Sequence, residues 1–169
     1  LKVLQKNSVF NAVRIGLLQF GVTPPSHSAL AHLEVEPVLS FHAKLALVKD
    51  LPAQTSLSYG RLHTLGRDSR IGIISAGYGD AIPLHCGNQA SALIRGTSYP
   101  IVGRVTMDQT LIDLTHAPRD LQNGEVVTFI GEQKSNKIPL ETLAFHGKTI
   151  PWELPVSYTH LTLPTIPQV

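Results

Sequence analysis

Three short stretches of this 169-residue chain combine glycine with groups that can move protons or hold anions. They are Ser58-Tyr59-Gly60-Arg61, Gly77-Tyr78-Gly79-Asp80 and Gly103-Arg104-Val105-Thr106-Met107-Asp108-Gln109. A tyrosine hydroxyl can give up and take back a proton, but a free phenol ionises near pH ~10. It works as a base at neutral pH only when nearby positive charge favours the phenolate. Arginine supplies such charge and keeps its own proton. Each stretch falls at the end of a candidate strand, and loops at strand ends are where scaffolds expose working groups. Each also reads as an ordinary turn, with the tyrosine ring of the first two capping a core. Taken singly, none decides between the two.

The elements that would position these groups are mostly β. Val38 to Lys49, Ser56 to Tyr59, Ser69 to Ala76, Ala90 to Ile94, Tyr99 to Thr106, Thr110 to Leu114 and Glu125 to Ile130 read as strands. Arg95-Gly96-Thr97 and Asn123-Gly124 supply turns. Short strands at roughly ten-residue spacing with glycine turns predict an antiparallel, Greek-key-like β-barrel. Pro139 to His146 predicts a helix, with Leu140, Leu143 and Ala144 at helical spacing and Gly147 as its stop. Ahead of this domain, the apolar run around Arg14-Ile15-Gly16-Leu17 predicts a buried strand ending where backbone approaches a ligand closely. Pro24, Pro25 and Pro37 mark residues 23–37 as a linker.

Composition excludes several classes. The formal charge of +2 and the absence of a basic run argue against nucleic-acid binding. No apolar stretch reaches the eighteen or so residues of a membrane span. Cys86 is the only cysteine, which rules out an internal disulfide or a cysteine zinc site. The eight histidines are scattered, and no metal site is expected. Charged residues make up only 15 %, below the usual quarter, so part of the surface is expected to be covered by a partner.

Taken together, the three stretches resemble the signature segments of alanine racemases. Arg14 and Gly16 resemble the family's Arg-x-Gly strand, followed by its Ser-Tyr-Gly, Gly-Tyr-x-Asp and Val-Gly-Arg-x-x-Met-Asp-Gln motifs. The resemblance runs from about Phe10 to Leu154. It implies that residues 1–22 are the last strand and helix remnant of a TIM-type (β/α)8 barrel, and that 38–155 form the carboxy-terminal β domain. It further implies a cytoplasmic homodimer that interconverts L- and D-alanine for peptidoglycan, with pyridoxal 5'-phosphate as cofactor.

Racemisation removes a proton from one face of an amino acid held as an imine and returns it to the other, which takes two bases. The resemblance assigns one role to the cofactor lysine, expected outside this chain, and the other to Tyr59. Arg14, acting through a histidine also outside the chain, would favour the phenolate and would donate to the cofactor's ring nitrogen. Gly16 and Leu17 would offer backbone N–H groups to the phosphate. Met107 would offer its N–H to the substrate carboxylate, with Asp108 holding that loop. Tyr78, Arg104 and Ile150 match the access corridor that admits small amino acids. In the dimer, Tyr59 and Met107 would serve the neighbouring subunit.

Two positions depart from the family pattern. Trp152-Glu153 stands where Tyr-Glu is common, so the cofactor-phosphate contact expected there falls to an indole N–H. Phe20 stands where tyrosine is frequent and reads as packing. Residues 156–169 resemble a translated sequencing adapter, so neither Tyr158 nor His160 is expected to carry a role. A chain without the lysine is expected to be inactive by itself. A racemase for serine or lysine, and a non-catalytic β-barrel binding module, remain as alternatives.

Overall fold

The computed structural model describes Ala12, residues 14–23 and residues 33–159. They fall into two compact units, residues 1–38 and 39–169. In the first unit, Arg14, Ile15 and Gly16 are exposed and irregular, and Leu17–Phe20 form one 3-10 turn. The buried strand expected here is therefore not formed in the described residues. Among the described residues its backbone has no strand partner, and only Leu17 of the turn is buried. Gly21 ends the turn at φ 72°, in a place where a Cβ would fall 1.7 Å from the carbonyl oxygen of Glu36. Val38 donates its N–H to Phe20 at 3.1 Å. Pro24 and Pro25 lie outside the described residues.

The second unit is mainly antiparallel β. Its strands are β1 (Phe41–Leu51), β2 (Ser56–Leu57), β3 (His63–Thr64), β4 (Ser69–Ile74) and β5 (Ser91–Ile94), then β6 (Thr97–Pro100), β7 (Thr110–Asp113), β8 (Val126–Gln133) and β9 (Asn136–Ile138). Two helices follow, α1 (Leu140–His146) and α2 (Glu153–Thr159). The sheet runs β6-β5-β8-β1-β4-β7, with β9 added on β8 and β2 paired to β3 as a separate ribbon. Its two ends approach each other. Ile101, just after β6, bridges Ile112 of β7, and Val102 donates its N–H to Leu111 at 2.9 Å.

Side-chain period and turn chemistry explain this path. The β5–β6 hairpin turns on Arg95 and Gly96, both at positive φ, which matches the right-handed twist of the flanking strands. Strand β4 is buried at nearly every position, and a Cβ on Gly72 would fall within 3.0 Å of Leu114, Leu45 and Ile112. Leu45, Ile74, Ile94, Ile112, Leu114, Val127 and Phe129 are fully buried, and Phe129 stacks on Phe41 at 5.6 Å. Burying each such side chain contributes about 1.5–3 kcal/mol. The buried guanidinium of Arg70 clamps the loop before β8, donating to the carbonyls of Pro118 and Leu121, each at 2.8 Å.

Two local expectations change. The strand expected through Thr106 ends at Pro100 and its bridge residue, because Gly103 turns to φ 72° and the chain becomes a loop. The strand expected to reach Tyr59 stops at Leu57 for a similar reason, argued below. Glu153–Thr159 is helical, with Pro155 in the first turn where its missing N–H costs nothing. Among the described residues no helix is long and apolar enough to cross a membrane.

Candidate functional site

Leu57 is the last buried residue of β2, and the chain then leaves the core by an unusual route. Ser58 sits at φ 61°, ψ 179°, Gly60 at φ 76° and Arg61 at φ 49°. Three of four consecutive residues thus occupy the half of backbone space that side chains avoid. The result is that Tyr59 is lifted off the domain, with 72 % of its surface exposed. Its ring does not cap a core.

The second stretch leaves β4 and folds against the third. Tyr78 donates its N–H to Thr106 at 2.9 Å, and Gly79 donates to Met107 at 2.8 Å. The Asp80 carboxylate accepts the Gly77 N–H at 3.0 Å and closes the turn. Only glycine fits at 77, since a Cβ would fall 2.1 Å from the carbonyl oxygen of Thr106.

The third stretch touches both others. A Cβ on Gly103 would lie 2.6 Å from the Ser58 hydroxyl, while Thr106 and Met107 carry the Gly77 turn. The Gly103 N–H is held by Asn88 Oδ1 at 2.7 Å. Thr106 closes its own turn, donating both N–H and Oγ1 to the carbonyl of Gln109 at 2.9 and 3.0 Å. That is the task expected of Asp108, which is exposed and makes no hydrogen bond among the described residues. Met107 is half exposed, and its N–H donates to no acceptor among the described residues.

Positive charge borders this face. A cleft of about 330 Å³ is lined by Leu62, His85, Asn88, Arg104 and Lys148 among others, with no carboxylate in its wall. Neither Arg104 nor Lys148 makes an ion pair among the described residues. A second cleft, of about 380 Å³, joins Tyr78 to Lys148, Thr149 and Glu153. Ile150 and Trp152 are exposed on the segment leading into α2. Arg14, Gly16 and Leu17 belong to the amino-terminal unit. Cys86 is no nucleophile, because burial pushes its thiol up to about 12.

The sequence reading overlooked Asn88, His85 and Lys148. The Gly87-Asn88 turn pair was the only available signal for Asn88, whose side chain reaches fifteen residues onward. Lys148 sits at φ 54° just past the helix stop, a position with no distinctive local pattern.

These features define an antiparallel β domain whose loops present an exposed tyrosine and, among the described residues, a backbone N–H without an acceptor and cations without an ion-pair partner. Residues 38–164 match the family described as "Alanine racemase, C-terminal domain". The chain belongs to that family. The alanine racemase of Nostoc sp. is 36 % identical over 151 residues, which is 89 % of this chain and 39 % of that protein. The crystal structure of alanine racemase from Bacillus anthracis with bound L-Ala-P superposes with a TM-score of 0.80 at 32 % identity, covering 90 % of this chain and 39 % of that one. Alanine racemase from Bartonella henselae with covalently bound pyridoxal phosphate gives 0.70 at 27 % identity, over 82 % and 37 % of the two chains. Histidine racemase from a Leuconostoc mesenteroides strain gives 0.73 at 28 %, over 83 % and 37 %. The chain thus spans about two fifths of the length of these relatives.

Proposed function

We propose that residues 38–155 complete the active site of a pyridoxal-phosphate-dependent alanine racemase that supplies D-alanine for peptidoglycan. One observation carries this reading: the segment Gly103–Met107 gathers the tyrosine loop and the Gly77 turn onto one exposed face. Scattered turn residues would not converge in this way. An exposed phenol is also useless to its own core and available to another surface, as a role across a subunit boundary requires.

The donor set of the amino-terminal unit fits the cofactor. Arg14 is an exposed cation, and the N–H groups opening the Leu17–Phe20 turn have no side-chain cap. Arg14 would hold the ring nitrogen, and Gly16 and Leu17 the phosphate, with Trp152 offering an indole N–H. When bound, pyridoxal phosphate acidifies the Cα–H of the amino acid joined to it. In one direction of the reaction Tyr59 Oη would accept that proton on one face, and in the reverse direction it would donate one to that same face. A lysine from the rest of a longer protein serves the opposite face. The Met107 N–H donates to the substrate carboxylate, next to the exposed carboxylate of Asp108. Tyr78, Arg104 and Ile150 line the approach and set the size of side chain admitted. In a homodimer, Tyr59 and Met107 serve the partner's cofactor. Residues 156–169 have no part in this scheme.

The experiment is Tyr59→Phe in a full-length racemase carrying these residues. Solvent deuterium incorporation should fail from one alanine enantiomer and persist from the other. Unchanged turnover would reduce the domain to a binding module. The 169 residues alone should show no racemisation. The likeness to a histidine racemase, with Trp152 standing where the family commonly has tyrosine, favours a second reading in which a larger amino acid is the substrate. Assays with alanine, serine, lysine and histidine separate the two.

A further inference from the structure

Ser58 carries two local penalties that the fold does not need. Its backbone, at φ 61° and ψ 179°, occupies a region open almost only to glycine. Its hydroxyl is buried and has no hydrogen-bond partner among the described residues. A glycine here would remove both penalties, and the core beneath ends at Leu57. Strain of this kind persists where surrounding structure enforces it, and it gathers at working sites.

The enforcing structure is a stack of close approaches. The Ser58 hydroxyl lies 2.6 Å, and its Cβ 3.2 Å, from where a side chain on Gly103 would begin. Gly103, at φ 72°, leaves that recess open. Asn88 holds the Gly103 N–H, and a Cβ on Gly87 would meet the Gly103 carbonyl oxygen at 2.4 Å. The serine is wedged against backbone that cannot retreat.

We propose that Ser58 is a positioning residue for Tyr59: seated in the recess at Gly103, it fixes the left-handed loop that presents the phenol and ties it to the segment bearing Met107. This rests on the reading of Tyr59 as the proton-transferring group. What matters is the wedge and not the hydroxyl, since the hydroxyl has no hydrogen-bond partner among the described residues. Ser58→Ala keeps the Cβ and Ser58→Gly removes it. Gly103→Ala fills the recess, and the double variant Ser58→Gly/Gly103→Ala relieves that collision.

The test uses the full-length homodimer for kinetics and the 169-residue chain for dynamics. Ser58→Gly should lower kcat about tenfold for the proton transfer assigned to Tyr59, a misplacement effect, with KM and melting temperature unchanged or the latter raised. Ser58→Ala should stay within about twofold of the parent on the same grounds. Gly103→Ala should lose activity, and adding Ser58→Gly should restore part of it, a coupling expected only of residues in contact. In the 169-residue chain, 15N relaxation should show amide order at residues 59–61 falling in Ser58→Gly. Parent-like kinetics and parent-like order in Ser58→Gly would overturn the proposal. So would equal loss in both directions together with a lower melting temperature, the mark of a plain structural residue. Parent-like turnover in Tyr59→Phe would instead overturn the reading beneath it.

Discussion

The carbonyl of Met107 accepts the N–H of Gly79 at 2.8 Å, which fastens the loop after β4 to the loop before β7. Gly77 is what allows this approach, because a Cβ there would lie 2.1 Å from the Thr106 oxygen and 2.5 Å from that of Met107. Both are backbone atoms and cannot swing aside. Gly77→Ala should therefore cost about 1–3 kcal/mol, the range for overfilling a packed site. The check is urea unfolding, with the midpoint shifted and the slope retained. Gly66→Ala is the control: nothing lies within 4 Å of a Cβ there, and the change should stay within about 0.5 kcal/mol.

Tyr59 makes the opposite prediction. With 72 % of its surface exposed and no hydrogen bond among the described residues, it contributes little to the fold. Tyr59→Phe and Tyr59→Ala should each leave unfolding free energy within about 0.5 kcal/mol of the parent. A loss of several kcal/mol in the 169-residue chain would show the ring to be packed in its own domain. It would then be unfit to reach another subunit.

Period and turn chemistry made most of the β domain legible. The buried runs of β4 and β8, the Arg95-Gly96 hairpin and the Leu140, Leu143, Ala144 spacing of α1 all follow from local rules. The strand ends were less legible. Tyr99 to Thr106 has the apolar content of a strand, but Gly103 takes a left-handed φ, and Ser58, forty-five residues earlier, fills the space a side chain there would need. Such a contact leaves no trace in local pattern. The site was readable by residue type, since each tyrosine stands beside glycine, but not by arrangement. Thr106, and not Asp108, closes the Met107 turn because its hydroxyl and N–H both reach Gln109 across three residues. Asn88 and Lys148 join the site only through tertiary approach.

Arg70 tests how the buried end of β4 is held. Its guanidinium is buried, makes no ion pair among the described residues, and donates to the carbonyls of Pro118, Arg119 and Leu121. A planar fork can serve several carbonyls at once, whereas an ammonium is a single compact donor. Arg70→Met should cost about 1.5–3 kcal/mol, the range for a lost charge-assisted hydrogen bond. Arg70→Lys should recover less than half of that loss. Native-state hydrogen exchange should localise the added opening to residues 118–121. Opening spread evenly over the sheet would show that the clamp is not local.

Cys86 links burial to pH. Its side chain is fully buried, with Sγ 3.8 Å from the carbonyl oxygen of Leu143, and burial holds the thiol up at about 12. An unfolded chain exposes the same thiol at its ordinary value near 9. Below that value the thiol is neutral in both states, and the burial contribution is fully present. As pH rises between about 9 and 12, the unfolded state releases its proton while the folded state keeps it. The unfolded state then binds fewer protons, so stability must fall with rising pH across this window. Iodoacetamide at pH ~8 should leave the native chain unmodified and label it in urea, because the reacting thiolate forms only on unfolding. Other groups titrate in the same range, so the diagnostic quantity is a difference. The alkaline loss of unfolding free energy should be smaller in Cys86→Ala than in the parent. Equal slopes for the two proteins would mean that the thiol ionises as readily folded as unfolded, and that its surroundings are wetter than the packing against Leu143 implies.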